Sequence, residues 1–212
     1  RCVNIIGKAH TRQQKMIKAR LLLKMGMHSE LAKWLDTLAA EGISDWETHY
    51  LMAKAHVAAG QAGKALGELE ASKKAQASDE AAILGAEILA GMGKEPEAMA
   101  WLAVPDPGAG ILRAKGELQL KFKKFTDAIE SFSRSIGKEP RSLPAWYGMG
   151  MSHLGNGEPD EALKCFDTAI GIDRDYVWAW SGKVRAYTAK GDAKNAARAE
   201  AALREMDPGF KI

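Results

Sequence analysis

Apolar and small residues recur along this chain at helical spacing, and the clearest stretch runs from Leu143 to Tyr176. Trp146, Met149, Gly150 and His153 stand three, one and three residues apart, so they share one face of a helix. Gly157 then ends that helix, since glycine enters the left-handed conformation of a helix C-cap without steric penalty. Ala162, Cys165, Phe166, Ala169 and Ile170 form a second stripe, with Asp160 and Glu161 in the first turn where the helix dipole favours negative charge. The pattern predicts two antiparallel helices joined by a tight turn. Gly150 and Ala162 read as the small surfaces that let such helices close to about 8–10 Å, with Trp146 and Phe166 filling the wedges beside them.

The same punctuation repeats along the chain. Ala65, Ala98, Ala128, Ala162 and Ala196 follow one another at intervals of 33, 30, 34 and 34 residues. Gly60, Gly93, Gly157 and Gly191 stand five residues before four of them. A period near 34 in helical sequence marks an array of helical hairpins.

On these residues the unit Leu143–Tyr176 closely resembles the tetratricopeptide repeat, a family of helical hairpins. Trp146, Met149, Gly150, Gly157, Ala162, Phe166 and Ala169 occupy places where that family wants a large aromatic, Leu, Gly, Gly, Ala, an aromatic and Ala. His153 and Arg174 depart from its tyrosine and proline. Val177–Phe210 keeps Trp180, Tyr187, Gly191, Ala196 and Pro208, and Ala109–Ser142 keeps Gly116, Ala128, Phe132 and Pro140. Upstream the signature thins: Trp46–Ser78 retains Ala53, Gly60, Ala65 and Leu69, and Asp79–Gly108 retains Ala86, Gly93, Ala98 and Leu102. Residues 12–45 keep Gly26 but carry Leu31 where the alanine belongs. The resemblance implies an all-α, right-handed α-solenoid of about six hairpins. Three degenerate ones fall in 1–104 and three well-matched ones in 109–212.

Val104-Pro105-Asp106-Pro107-Gly108 interrupts the period after a second helix of only about two turns, roughly 97–103. The interruption is either a kink between two halves or a shortened, well-packed loop. Lys183 and Glu200 stand where the family has leucine and an aromatic, which suits the polar outer face of a terminal repeat.

Composition narrows the function classes. The chain has 212 residues, 27% of them charged, and a net charge of +3, too small to imply a polyanionic partner. No run of 18 apolar residues is present to span a membrane. Cys2 and Cys165 form no disulfide framework, and Cys165 on an inner stripe reads as a small hydrophobe, which points to a reducing, cytoplasmic setting. The chain opens on Arg1 rather than methionine, so something upstream has been removed, be it a signal peptide, another domain or residues left out by choice of the starting point. Residues 1–27 hold seven Lys or Arg and no Asp or Glu; His10, Arg12, Lys15 and Lys18 would make a basic helix face opposite Met16, Ile17, Leu21 and Met25. Such a face is either simply solvated or a contact for an acidic protein, membrane or nucleic acid. Stacking aromatics do not accompany it, which argues against nucleic acid.

Catalytic chemistry finds no footing. His10, His28, His49, His56 and His153 are scattered without metal-ligand spacing, and the glycines belong to hairpins rather than to a phosphate loop. The reading is therefore no enzyme, no cofactor and no metal. In the family, the first helix of each hairpin lines a concave groove. Carried over, that face holds Tyr50, Lys54, Ile83, Glu87, Arg113, Glu117, Tyr147, Met151, Leu154, Trp178, Ser181 and Arg185. The partner-binding set is Tyr50, Arg113, Glu117, Tyr147, Met151, Trp178 and Arg185, and its sharper part is Tyr147, Met151 and Trp178 flanked by Arg113 and Arg185, since aromatics and arginines are the typical anchors of binding hot spots. Trp178 either anchors a ligand or packs on the preceding loop near Tyr176. One specialisation of the family grips a chaperone's C-terminal carboxylate with Lys, Asn and Arg; Arg113, Glu117, Gly148 and Gly182 do not supply that set. The expectation is an interaction module that binds a peptide or partner protein. Self-association, or service as the regulatory half of a larger protein, stands as the alternative.

Overall fold

The structure, a computed structural model, describes residues 11–210. Cys2, His10 and the other residues before Thr11 lie outside that range, as do Lys211 and Ile212. Among the described residues there are twelve helices and no strand: α1 (Arg12–Lys24), α2 (His28–Ala40), α3 (Trp46–Ala58), α4 (Ala62–Ala75), α5 (Asp79–Gly91), α6 (Glu95–Trp101), α7 (Ala109–Lys121), α8 (Phe125–Lys138), α9 (Leu143–Gly155), α10 (Pro159–Ile172), α11 (Val177–Ala189) and α12 (Ala193–Met206). The chain divides into two compact units, residues 1–92 and 93–212. Residues 104–108 form the non-helical link between α6 and α7, inside the second unit.

The turns are built alike. Gly26, Gly60, Gly93, Gly157 and Gly191 all have φ between 70° and 79°, and in the turn of the fourth hairpin, before Ala128, Lys123 takes φ 60° without being glycine. After Gly60, Lys123, Gly157 and Gly191 the next residue's N–H reaches five residues back: Gln61 to His56 (2.8 Å), Lys124 to Gln119 (2.8 Å), Glu158 to His153 (2.8 Å) and Asp192 to Tyr187 (2.9 Å). This is the closure that satisfies the carbonyls left open at a helix end. The geometry of the turn, rather than glycine itself, is what recurs.

In the second unit, consecutive hairpins stack through two buried rings. Phe132 on α8 and Phe166 on α10 are fully buried. The Phe166 ring lies against Gly150 of its own hairpin and Gly182 of the next; a Cβ on either glycine would come within 2.5 Å of the ring. Phe132 lies in the same way against Gly116 and Gly148. The socket for the ring is thus shared between hairpins. Gly150 faces Phe166 rather than pairing with Ala162, as the sequence pattern suggested, because the helices meet ring-into-socket and not small-on-small. Ala98, Ala128 and Ala162 are fully buried, whereas Ala196 is partly exposed, for α12 has no helix stacked beyond it among the described residues. At the socket position of α11 stands Val184, also buried, and Glu200 occupies the ring position opposite.

Hydroxyls and indoles tie helix ends together. Ser135 on α8 donates to the Ala109 carbonyl at the start of α7 (2.9 Å), and in the first unit Ser72 on α4 donates to the Trp46 carbonyl at the start of α3 (2.7 Å). Both serines are buried where the family has alanine. Trp146 and Trp180 donate from Nε1 to the carbonyls of Pro140 and Arg174, each at 2.9 Å, so both indoles fasten a helix to the loop before it.

The first unit has a leucine core. Met16, Ala19 and Leu22 of α1 pack with Leu31, Leu35 and Leu38 of α2 and with Leu51 and Ala55 of α3. Ile17 and Met25, expected on the apolar face, are 42% and 57% exposed. The buried stripe of α1 runs at i, i+3, i+6 through Met16, Ala19 and Leu22, rotated from the stripe the sequence suggested. The basic face is also not free: Arg12 pairs with Asp45, Lys15 with Glu41, and Arg20 with the buried Glu47 at 2.7 Å. Lys18 sits 3.7 Å above the Trp34 ring, a cation–π contact. Asp45 is both the N-cap of α3, accepting from the N–H groups of Glu47 and Thr48, and the anchor for Arg12. Burial pushes its carboxyl up, but the Arg12 hydrogen bond and the two backbone N–H groups outweigh this and hold it below the usual carboxylate range.

Candidate partner-binding groove

Within the second unit the leading helices α7, α9 and α11 lie side by side. Their shared face carries the sharper set of residues that the sequence singled out. α9, in the middle, presents Tyr147, Met151 and Leu154, all partly buried over the Phe166 layer. α11 presents Trp178 in its first turn and Arg185 two turns on; α7 presents Arg113 and Glu117.

Tyr147 is the hub of an aromatic cluster. Its ring centroid lies 6.0 Å from Phe166, 6.1 Å from Trp178 and 6.4 Å from Tyr176, the last edge-on at 86°. Trp178 in turn meets Phe210 edge-on, 5.2 Å away at 77°. These separations fall in the range at which aromatic pairs attract beyond simple area burial. The cluster begins on a fully buried ring, Phe166, and ends on one that is 50% exposed, Trp178. Trp178 therefore has Tyr147 beside it, and Tyr176 meets Tyr147 edge-on.

Charge around the cluster is uneven. Arg113 is committed to Glu117, one helical turn away on α7. Arg185 is exposed and has no ion-pair partner among the described residues. Burial pushes the Tyr147 phenol up, and the positive Arg185 pulls it partly back. Burial likewise raises the Tyr176 phenol, with Tyr147 and Glu117 adding to the rise and Arg113 opposing it. Both phenols thus stay neutral donors at neutral pH, next to one uncompensated guanidinium.

Several expected residues stand elsewhere. Ser181 is buried and offers no surface. Tyr50 lies in the first unit, with Lys54 5.2 Å from its ring, and Ile83 and Glu87 also belong to that unit. Phe210 was the residue the sequence did not flag. Its signal was an aromatic just past Pro208, where α12 has ended and the chain returns toward the start of α11.

Residues 144–176 match the sequence profile of the tetratricopeptide repeat. One such repeat is thus recognised in the sequence, and the described helices have an all-α helical-repeat fold. Its fold is similar to that of PilW, a widely conserved type IV pilus biogenesis factor, with TM-score 0.79 and 17% identity over 93% of this chain and 94% of that one. MamA is also similar, at TM-score 0.63 and 20% identity over 74% of this chain and 95% of that one. At such identities the likeness is one of fold. In sequence, the chain is 28% identical over 103 residues to the probable UDP-N-acetylglucosamine–peptide N-acetylglucosaminyltransferase SPINDLY of Hordeum vulgare. That match covers 49% of this chain and 10% of the relative's length, so the transferase activity does not carry across. Tetratricopeptide-repeat proteins generally mediate protein–protein interaction. Among the described residues no group of three or more His, Cys, Asp or Glu is arranged to hold a metal, and no helix is long and apolar enough to cross a membrane.

Proposed function

We propose that the second unit binds a peptide or an extended segment of a partner protein across α7, α9 and α11, without catalysis. The observation that carries this is the aromatic series Phe166–Tyr147–Trp178, which runs from the core to a half-exposed indole on a face formed by leading helices. A tryptophan supported from below by a second ring presents a rigid apolar surface that loses little side-chain freedom on binding. Met151 adds a deformable apolar neighbour. Arg185 supplies the charge that would orient a carboxylate, a role the sequence gave equally to Arg113 but which Glu117 now satisfies.

Selection of peptides from a random library on the immobilised chain tests the reading. The double variant Tyr147→Ala, Trp178→Ala should lose roughly 30-fold or more in affinity for a selected peptide, as hot-spot truncations of about 2 kcal/mol do. Its helical circular dichroism should match the parent. Undiminished binding by that variant refutes the groove. A second reading, self-association, has one observation behind it: Ala193, Ala196 and Ala197 line an open surface on α12, and the alanines at the place of Ala196 in the other hairpins (Ala65, Ala98, Ala128 and Ala162) are fully buried. Mass that grows with concentration in light scattering would support it; a constant mass would end it.

A further inference from the structure

Phe210 is not part of any helix, yet its ring meets the most exposed aromatic of the groove edge-on. The segment that delivers it is a formed turn. The Asp207 carboxylate accepts from the Gly209 N–H at 3.0 Å, and the Phe210 N–H donates to the Asp207 carbonyl at 3.1 Å. Pro208 fixes one of its backbone torsions, and Asp207 closes α12 by donating to the Leu203 carbonyl at 2.9 Å. The turn is therefore tethered at one end to α12 while its far end lays a phenyl ring on Trp178, the residue proposed to receive a ligand.

We infer that Phe210 is an internal occupant of the groove, holding the place on Trp178 that an aromatic side chain of an incoming peptide takes. The inference rests on the groove reading above and adds to it both a ligand feature and a form of self-restraint. Two rings cannot occupy the same edge-on position on one indole, so binding of an aromatic ligand and docking of Phe210 exclude one another. The cis contact is weak by construction. It consists of one aromatic pair on a four-residue turn, and the segment remains partly exposed. An isolated pair of this type shifts an equilibrium by roughly 2- to 12-fold, so it would tune affinity rather than block binding.

The full chain and its Phe210→Ala variant, both labelled with 5-fluorotryptophan, provide the test. Loss of one resonance in Trp178→Phe assigns the Trp178 signal. The probe is the acetylated and amidated hexapeptide Asp-Pro-Gly-Phe-Lys-Ile, the chain's own sequence from Asp207 onward. Phe210→Ala should shift the Trp178 resonance in the absence of peptide, and the probe should return it toward its original position. The variant should bind the probe about 3- to 10-fold more tightly than the parent, and a probe with alanine for phenylalanine should not bind. Equal affinity of parent and variant overturns the inference, as does a Trp178 resonance that ignores the substitution. Retained thermal stability of Phe210→Ala separates these outcomes from unfolding. Library peptides that still need Tyr147 and Trp178 while Phe210→Ala changes nothing would leave the groove standing and remove its internal occupant.

Discussion

Substituting Gly182 by alanine isolates the contact on which stacking of the last two hairpins depends. A Cβ at Gly182 would stand 2.5 Å from Cε1 of Phe166 and 2.6 Å from Cζ. Carbon atoms rest at about 3.5–4.0 Å, so the ring or the helix must give by about 1 Å. The ring has nowhere to go. It is fully buried, and its other side is held against Gly150, where an added Cβ would also come within 2.5 Å. Forced overpacking of this kind costs up to about 3 kcal/mol. Alanine recovers about 1 kcal/mol of that through its better helix propensity. The net expectation is a loss of about 2 kcal/mol, or roughly 4–8 °C in Tm for a chain of this size. Gly67, inside α4, has nothing within 4 Å of its would-be Cβ. The same substitution there should stabilise by up to about 1 kcal/mol. Urea titrations followed by circular dichroism at constant protein concentration measure both midpoints. A further variant, Gly182→Ala with Phe166→Leu, removes ring atoms as it adds the methyl and should recover part of the loss. Leu69 with Ala53 occupies the places of Phe166 and Gly150 in α4 and α3, both fully buried, so a smaller side chain at the ring position already accommodates an alanine on one wall of the socket. If Gly182→Ala raises the midpoint as Gly67→Ala does, the ring-in-socket account of stacking is refuted.

Other expectations follow from single observations. Lys123 holds a left-handed conformation that costs a non-glycine residue roughly 1–2 kcal/mol, partly offset by the greater chain entropy of glycine; Lys123→Gly should therefore raise the urea midpoint by an amount equivalent to about 0.5–1 kcal/mol. The depressed Asp45 carboxyl contributes stability that is complete above the unfolded value of about 3.9 and is lost as pH falls through the lower folded value. Midpoints measured from pH 5 downward should show that loss, and Arg12→Ala should flatten it. Burial raises the Cys165 thiol to about 11, so iodoacetamide at pH 8 should leave it unmodified in the native chain and alkylate it once urea has unfolded the protein.

The hairpins were legible because each is decided by contacts between near neighbours. A helix turns every 3.6 residues, a left-handed turn needs a particular φ, and an alanine must stand where two helices touch. Those demands leave marks within one period, so Gly157, Ala162 and the stripe around Phe166 mark a hairpin in the sequence itself. Lys123 shows the limit even there, since its turn is as closed as the others while the residue gives no sign of it.

What tertiary structure decided lies one hairpin or more away in sequence. Gly148 and Gly182 looked like groove positions, but they are the far walls of sockets for rings that belong to the preceding hairpin. Arg12 and Lys15 read as part of a basic face until Asp45 and Glu41 arrived against them from beyond the next helix. Phe210 stands unmarked past the last helix, and its ring lies against Trp178. Helical period sets which way a side chain leaves its own helix, but only the stacking of hairpins sets what it meets there. Burial, charge pairing and surface access all depend on that second question, which is why the residues sharing a helix face could be named from the chain and the neighbours they meet could not.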